Sequence, residues 1–137
     1  MMNTMVLLLA LMQGGSSMPM RTIEHSAQTF IEEAKQVVIR TPEEWAALWK
    51  QNAANRPAPA VDFTREMVVG VYLGTRNTAG YSVEIVGVEK DAAGILVRYR
   101  ERSPARGMMT AQVITSPYHL VAVPKTEGAV RFEKTAP

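Results

Sequence analysis

Short apolar runs separated by polar stretches recur along the chain from residue 36 onward. The strongest is Met67-Val-Val-Gly-Val-Tyr-Leu73, nearly continuous and rich in β-branched residues. That pattern predicts a strand covered on both faces. Gly70 has no side chain to pack, so a bulky neighbour crossing there or a local bulge is expected. Gly74 ends the run, and Thr75, Arg76, Asn77, Thr78 and Ala79 form a polar link. Gly80 takes positive φ without steric cost and lets the chain reverse into Tyr81. Val83 and Ile85 then alternate with Ser82 and Glu84, the period of a half-buried strand. The two runs are predicted to pair as a hairpin with residues 75–81 at its tip.

The same logic extends downstream. The second strand runs to about Lys90, Asp91-Ala-Ala-Gly94 makes a tight connection, and Ile95 to Glu101 returns. Ser103 to Gly107 reads as a loop, Met109 to Thr115 as a further strand, and Ser116-Pro117 as its end. Tyr118 to Val123 is a long apolar strand, and Val130 to Glu133 a short alternating edge strand. Upstream, Val37, Val38 and Ile39 place a strand over residues 36–40. Thr29 to Ile31 reads as another strand, although residues 31–36 would also suit a helix.

Thr41-Pro-Glu-Glu44 is a helix start, with Thr41 able to accept from the Glu44 amide and Pro42 at the first helical position. Trp45, Leu48 and Trp49 then share one face, the anchor expected to hold a short helix on a sheet. Pro57 and Pro59 keep the following link extended, and Asp62 reads as a turn-capping carboxylate. Many short strands with one helix give a mainly β (α+β) fold. Its expected form is an antiparallel β-sandwich or partly closed barrel with one short helix packed on it.

At 137 residues the chain has room for one such core. Met5 to Met12 is an apolar run followed by Gln13-Gly-Gly-Ser-Ser17, so residues 1–17 read as a signal peptide, although no Lys or Arg precedes the run. Residues 18–35 are a poorly defined N-terminal segment, and residues 36–134 form a single β-rich domain. No stable membrane insertion is expected after cleavage, because the apolar run is far shorter than a bilayer span.

Composition narrows the function classes. An apolar fraction of 47% with 20% charged residues is that of a globular protein. A net charge of +2 argues against nucleic acid as a partner. With no cysteine, disulfides and thiolate chemistry are excluded. The acidic residues lack zinc or calcium spacing, and no glycine-rich phosphate loop is present, so no metal and no cofactor is expected. Arg98, Arg100 and Arg102 share one strand face, either as a cationic stripe or as a solvated face with glutamate neighbours. The two histidines are His25 and His119. His119 alternates with Val121 and Val123, which reads as a core or rim residue, and its sequence neighbour Ser116 does not make a Ser–His pair. No catalytic residue is assigned, and an enzyme is not expected.

Several blocks together carry a resemblance. They are Glu44-Trp45 with Leu48-Trp49, Asp62-Phe63 with Met67-Val68, and Gly74-Thr-Arg-Asn-Thr-Ala-Gly-Tyr81. Gln112-Val-Ile-Thr-Ser-Pro-Tyr118 and Val123-Pro124 with Val130-Arg-Phe132 complete the set. From about Val37 to Glu133 the chain resembles the PrcB-type domain family, named for an accessory subunit of a bacterial surface protease complex. The resemblance implies an exported, non-enzymatic β-rich domain that supports or associates with a protease complex. The loop Arg76-Asn-Thr-Ala-Gly-Tyr81 is also similar, at Thr78, Gly80 and Tyr81, to a loop of chagasin-like cysteine protease inhibitors.

The expected function is therefore that of a binding or accessory domain in the periplasm, cell envelope or extracellular space, with a protein partner such as a protease. Its candidate contact loop is Thr75, Arg76, Asn77, Thr78, Ala79, Gly80 and Tyr81. A second candidate loop is Ser116, Pro117, Tyr118 and His119. The alternatives are a loop-based protease inhibitor and a structural envelope domain.

Overall fold

The computed structural model describes residues 15–137. The signal-peptide reading falls, for residues 1–14, outside the described residues. In chain order the elements are β1 (Ser16–Ser17), β2 (Arg21–Ser26), β3 (Lys35–Ile39), α1 (Pro42–Ala53), β4 (Glu66–Tyr72), β5 (Ser82–Asp91), β6 (Gly94–Arg102), β7 (Tyr118–Pro124) and β8 (Val130–Lys134). Two four-stranded sheets face each other, one ordered β1-β5-β6-β8 and the other β2-β7-β4-β3. No helix among the described residues is long and apolar enough to cross a membrane.

The fold is a mainly β sandwich carrying one short helix, as the pattern of runs predicts. The second sheet is the middle layer. On one side its Val68, Tyr72, Tyr118 and Leu120 pack with Trp45, Leu48 and Trp49 of α1. On the other side Met67, Val69, Val71, Val121 and Val123 meet Val83, Ile85, Val88, Ile95 and Val97 of the first sheet. β4 and β7 are therefore buried on both faces, which is why they read as continuous apolar runs rather than alternating ones. Gly70 is where Leu120 crosses: a Cβ built there would lie 2.3 Å from Leu120 Cδ2.

Thr41 caps α1 by accepting from the Glu44 amide at 3.1 Å, and the Glu44 carboxylate accepts from Arg40 N at 3.0 Å. Both indole N–H groups are used, Trp45 on the Pro59 carbonyl at 3.0 Å and Trp49 on the Arg56 carbonyl at 2.9 Å. The proline-bearing link is thus tied back under the helix it terminates. Asp62 caps the next turn, accepting from the Thr64 amide and hydroxyl. These bonds hold its carboxyl below the usual carboxylate range.

Beneath α1 lies a polar knot. Asn52 is fully buried; its Oδ1 accepts from Tyr72 Oη at 3.0 Å and from Thr29 Oγ1 at 2.6 Å, and its Nδ2 donates to Tyr118 Oη at 3.3 Å. The two tyrosine rings stack at 5.1 Å, and burial pushes both hydroxyls to resist ionisation. Replacing Asn52 by Leu keeps the bulk but strands two buried hydroxyls. The expected loss is about 1–3 kcal/mol in a urea titration; an unchanged midpoint would show that the knot adds nothing to stability.

Three expectations need correction. β4 and β5 do not form a hairpin: β4 pairs with β3 and β7, whereas β5 pairs with β1 and β6, so the link between them crosses from one sheet to the other. β7 satisfies the β4 edge that β5 was expected to cover. Residues 109–115 are not a strand; only Thr115 makes an isolated bridge, to Arg76, and the apolar side chains of this stretch have no core to enter. The first N-terminal strand lies at residues 21–26 rather than 29–31, because Ile31 instead packs beneath the tryptophans of α1. One pairing also departs from an all-antiparallel sandwich, since β8 runs parallel to β6 at its sheet edge.

Candidate functional site

The link from β4 to β5 is positioned by its neighbours rather than by a hairpin. Leu73 N donates to the Pro117 carbonyl at 2.9 Å and Thr75 N to the Glu32 carbonyl at 3.0 Å. Arg76 and Thr115 exchange both backbone bonds, at 2.7 and 2.9 Å, and Ala79 N donates to the Ala111 carbonyl at 3.0 Å. Thr115 Oγ1 donates to the Thr78 carbonyl at 3.0 Å. Gly80 has φ of +98° and lies so close to Pro104 that a Cβ would meet its ring at 2.7 Å. The chain turns there because only glycine fits both the angle and the gap.

The two candidate loops are brought together. Thr75 Oγ1 and Ser116 Oγ share a hydrogen bond at 3.1 Å, and Ser116 N donates to the Ala27 carbonyl. The seven residues of the first loop differ in exposure: Thr75, Asn77 and Gly80 face solvent, while Arg76, Thr78, Ala79 and Tyr81 are half-buried. The Arg76 guanidinium sits 5.5 Å above the Tyr81 ring, which packs against the inter-sheet core. Ser116, Pro117, Tyr118 and His119 are all buried, so this second loop supports the first from beneath.

His119 points from β7 across the sandwich to β5. Ile85 N donates to its Nδ1 at 2.9 Å, so that nitrogen carries no proton and Nε2–H donates to Thr22 Oγ1 at 2.9 Å. Neither nitrogen is on Ser116. His25 stacks on His119 with ring centres 4.2 Å apart, and its Nε2–H donates to the Val83 carbonyl at 2.9 Å. Two imidazoles of one sheet thereby satisfy the stretch of β5 that short β1 leaves open. Burial first, then the neighbouring His25, lowers the His119 pKa from 6.5 to about 4, with Glu84 opposing.

Residues that the pattern of runs did not single out complete this end of the molecule. Met109 is 97% exposed, Ile114 69%, Phe30 66% and Met108 58%, with Val113 also exposed. Phe30, Glu32, Thr75, Ile114 and Ser116 line one open cavity of about 450 Å³. A signal was present: residues 113 and 114 are adjacent apolar residues, which breaks the alternation a half-buried strand requires. Of the arginine stripe, Arg98 pairs with Glu89 at 3.1 Å and Arg100 with Glu84 at 2.8 Å, while Arg102 pairs with no acid among the described residues. The Arg100 bond holds the Glu84 carboxyl below its usual range. No group of three or more histidines and carboxylates that could hold a metal occurs among the described residues.

Residues 67–124 match the model of the family described as PrcB C-terminal, a span that runs from β4 through both loops to the end of β7. No curated protein and no solved structure matches the chain. Over residues 67–124 the chain is thus similar to the PrcB C-terminal family.

Proposed function

We propose that this protein is an exported, non-enzymatic accessory domain that binds a protein partner, in keeping with the association of the family that residues 67–124 match with a protease complex. The observation that carries the reading is the concentration of exposed apolar side chains at one end of the molecule. Met108, Met109, Val113 and Ile114 stand on a segment tied at Ala111 and Thr115 to the Thr75–Tyr81 link, with Phe30 beside them. Exposed apolar residues gathered in one place are what a contact surface uses. A loop already fastened loses little entropy on binding.

The inhibitor alternative is less well supported, because the Thr78–Tyr81 turn is held down against residues 104–115 rather than thrust outward. The test is a paired substitution, Met109→Asp with Ile114→Asp, in the full chain. Neither residue is buried, so the melting temperature should stay within a degree or two. Recovery of a crosslinked protease-complex subunit from producing cells should fall to background. Undiminished recovery would remove this end from the interface. Export is checked separately by N-terminal sequencing of envelope material: a retained Met1 on protein confined to the cytoplasm would reject it.

A further inference from the structure

We infer that this end receives an acidic segment of the partner protein, one that also carries apolar side chains and lies extended along residues 109–114. The inference rests on the contact-surface reading above and adds the chemistry of what is contacted.

Charge is the first observation. Arg21, Arg56, Arg65, Arg98, Arg100 and Arg131 each pair with a carboxylate. Among the described residues that leaves Arg40, which donates to the Gly128 carbonyl, and Arg76, Arg102 and Arg106. Those last three gather at the loop end. Arg76 lies over Tyr81, Arg102 is in register with Ser82, and Arg106 follows Pro104, against which Gly80 packs. Of the acids at this end, Glu101 pairs with Lys134 and Glu33 with Lys35, which leaves Glu32, in the cavity beside Phe30, as one carboxylate against three guanidinium groups. Three guanidinium groups that form no ion pair among the described residues, beside an apolar surface, are complementary to carboxylates spaced among apolar residues.

The main chain is the second observation. The N–H groups of residues 109–114 donate to no acceptor among the described residues, although the flanking Met108 and Thr115 amides are bonded. In an extended stretch successive amides point to opposite edges, so every second one of these can meet the row of carbonyls of an extended peptide lying along the free edge. A lipid surface would satisfy the charge and the apolar side chains but offers no such row.

Two measurements separate this inference from the reading beneath it. In fluorescence anisotropy with the full chain, a synthetic peptide alternating Glu and Val should bind. Peptides alternating Lys and Val, or Glu and Ser, should bind about tenfold more weakly. The triple variant Arg76→Glu, Arg102→Glu, Arg106→Glu should lose the Glu–Val peptide by a similar factor with an unchanged melting curve. Rising salt should weaken the wild type alone. If that variant failed to fold, Val113→Asp would serve in its place, with the same loss expected. Equal binding of the Lys–Val peptide, retained binding by the variant, or capture of anionic phosphatidylglycerol vesicles in place of peptide would overturn the inference. The second measurement places a photo-crosslinker at Val113 in producing cells. An acidic partner segment supports the inference; a basic or uncharged segment, or a second copy of this chain, rejects it while leaving the contact reading intact. No crosslinked protein at Val113 would bring down the contact reading itself.

Discussion

Trp49→Ala should lower the unfolding free energy by about 3–5 kcal/mol, the range for deleting a buried aromatic ring. Trp49 is 3% exposed, lies 5.5 Å from the Trp45 ring and donates its indole N–H to the Arg56 carbonyl. The Arg56 guanidinium covers it at 5.2 Å and reaches Glu24 on β2, so the ring also joins the helix to a sheet edge. A domain of this size is stable by about 5–15 kcal/mol, so the loss is a large fraction of the whole. Trp49→Phe separates the contributions, since it retains an aromatic ring and removes the N–H donor; its loss should be about 1–2 kcal/mol. Urea midpoints at constant slope give both values. A Trp49→Ala loss below about 1 kcal/mol would mean that the helix is not what covers the middle sheet.

The second expected result concerns acid. Folding lowers the His119 pKa from 6.5 to about 4, so between those values the unfolded chain binds the extra proton. The contribution is complete above pH 6.5, declines as pH falls, and is gone near pH 4. At about 1.36 kcal/mol per pH unit the span comes to about 3 kcal/mol, of which about 2 is lost by pH 5. The cause is local: a protonated Nδ1 has no lone pair for Ile85 N, and its charge would lie against the His25 ring, offset only in part by the Glu84 carboxylate. The carboxyls of Asp62, Glu84 and Asp91 are held low, so their contribution persists above the usual carboxylate range and is lost only at lower pH. Chemical denaturation at pH 7 and pH 5 should show the decline in the wild type. His119→Gln, whose amide can accept from Ile85 and donate to Thr22, should remove most of it, and His25→Gln should retain most. A decline undiminished in His119→Gln would place the acid sensitivity elsewhere.

The elements of this fold were legible where the local pattern and the tertiary environment agree. The residue 67–73 run, the alternation after Tyr81, the Asp91–Gly94 turn and the capped indole helix all stand where their residues predict. Pairing was less legible. A polar link with a reversing glycine looks the same whether it joins neighbours in one sheet or spans two, and only the presence of β3 and β7 on both sides of β4 decides. The residue 109–115 stretch has strand-forming composition, but its neighbour at residues 76–79 offers too few bonds to extend the bridge at Thr115. The candidate site followed suit. Thr75 and Ser116, one from each candidate loop, meet, whereas Phe30 joins them from a distance in the chain that no local pattern encodes. Tyr118 and His119 stand both in the second candidate loop and in the apolar run that follows it, and they are interior residues because β7 begins immediately after Pro117.

The crossing of the chain between sheets has a consequence for how the molecule comes into being. β7 is the central partner of both β2 and β4, yet it lies near the end of the polypeptide. Until residue 124 is available, β2 has no partner in its sheet, β4 lacks one of its two neighbours, and the β5–β6 ribbon has chiefly β4 to pack against. Closure of the sandwich therefore waits on contacts distant in the chain, the kind of topology that folds slowly.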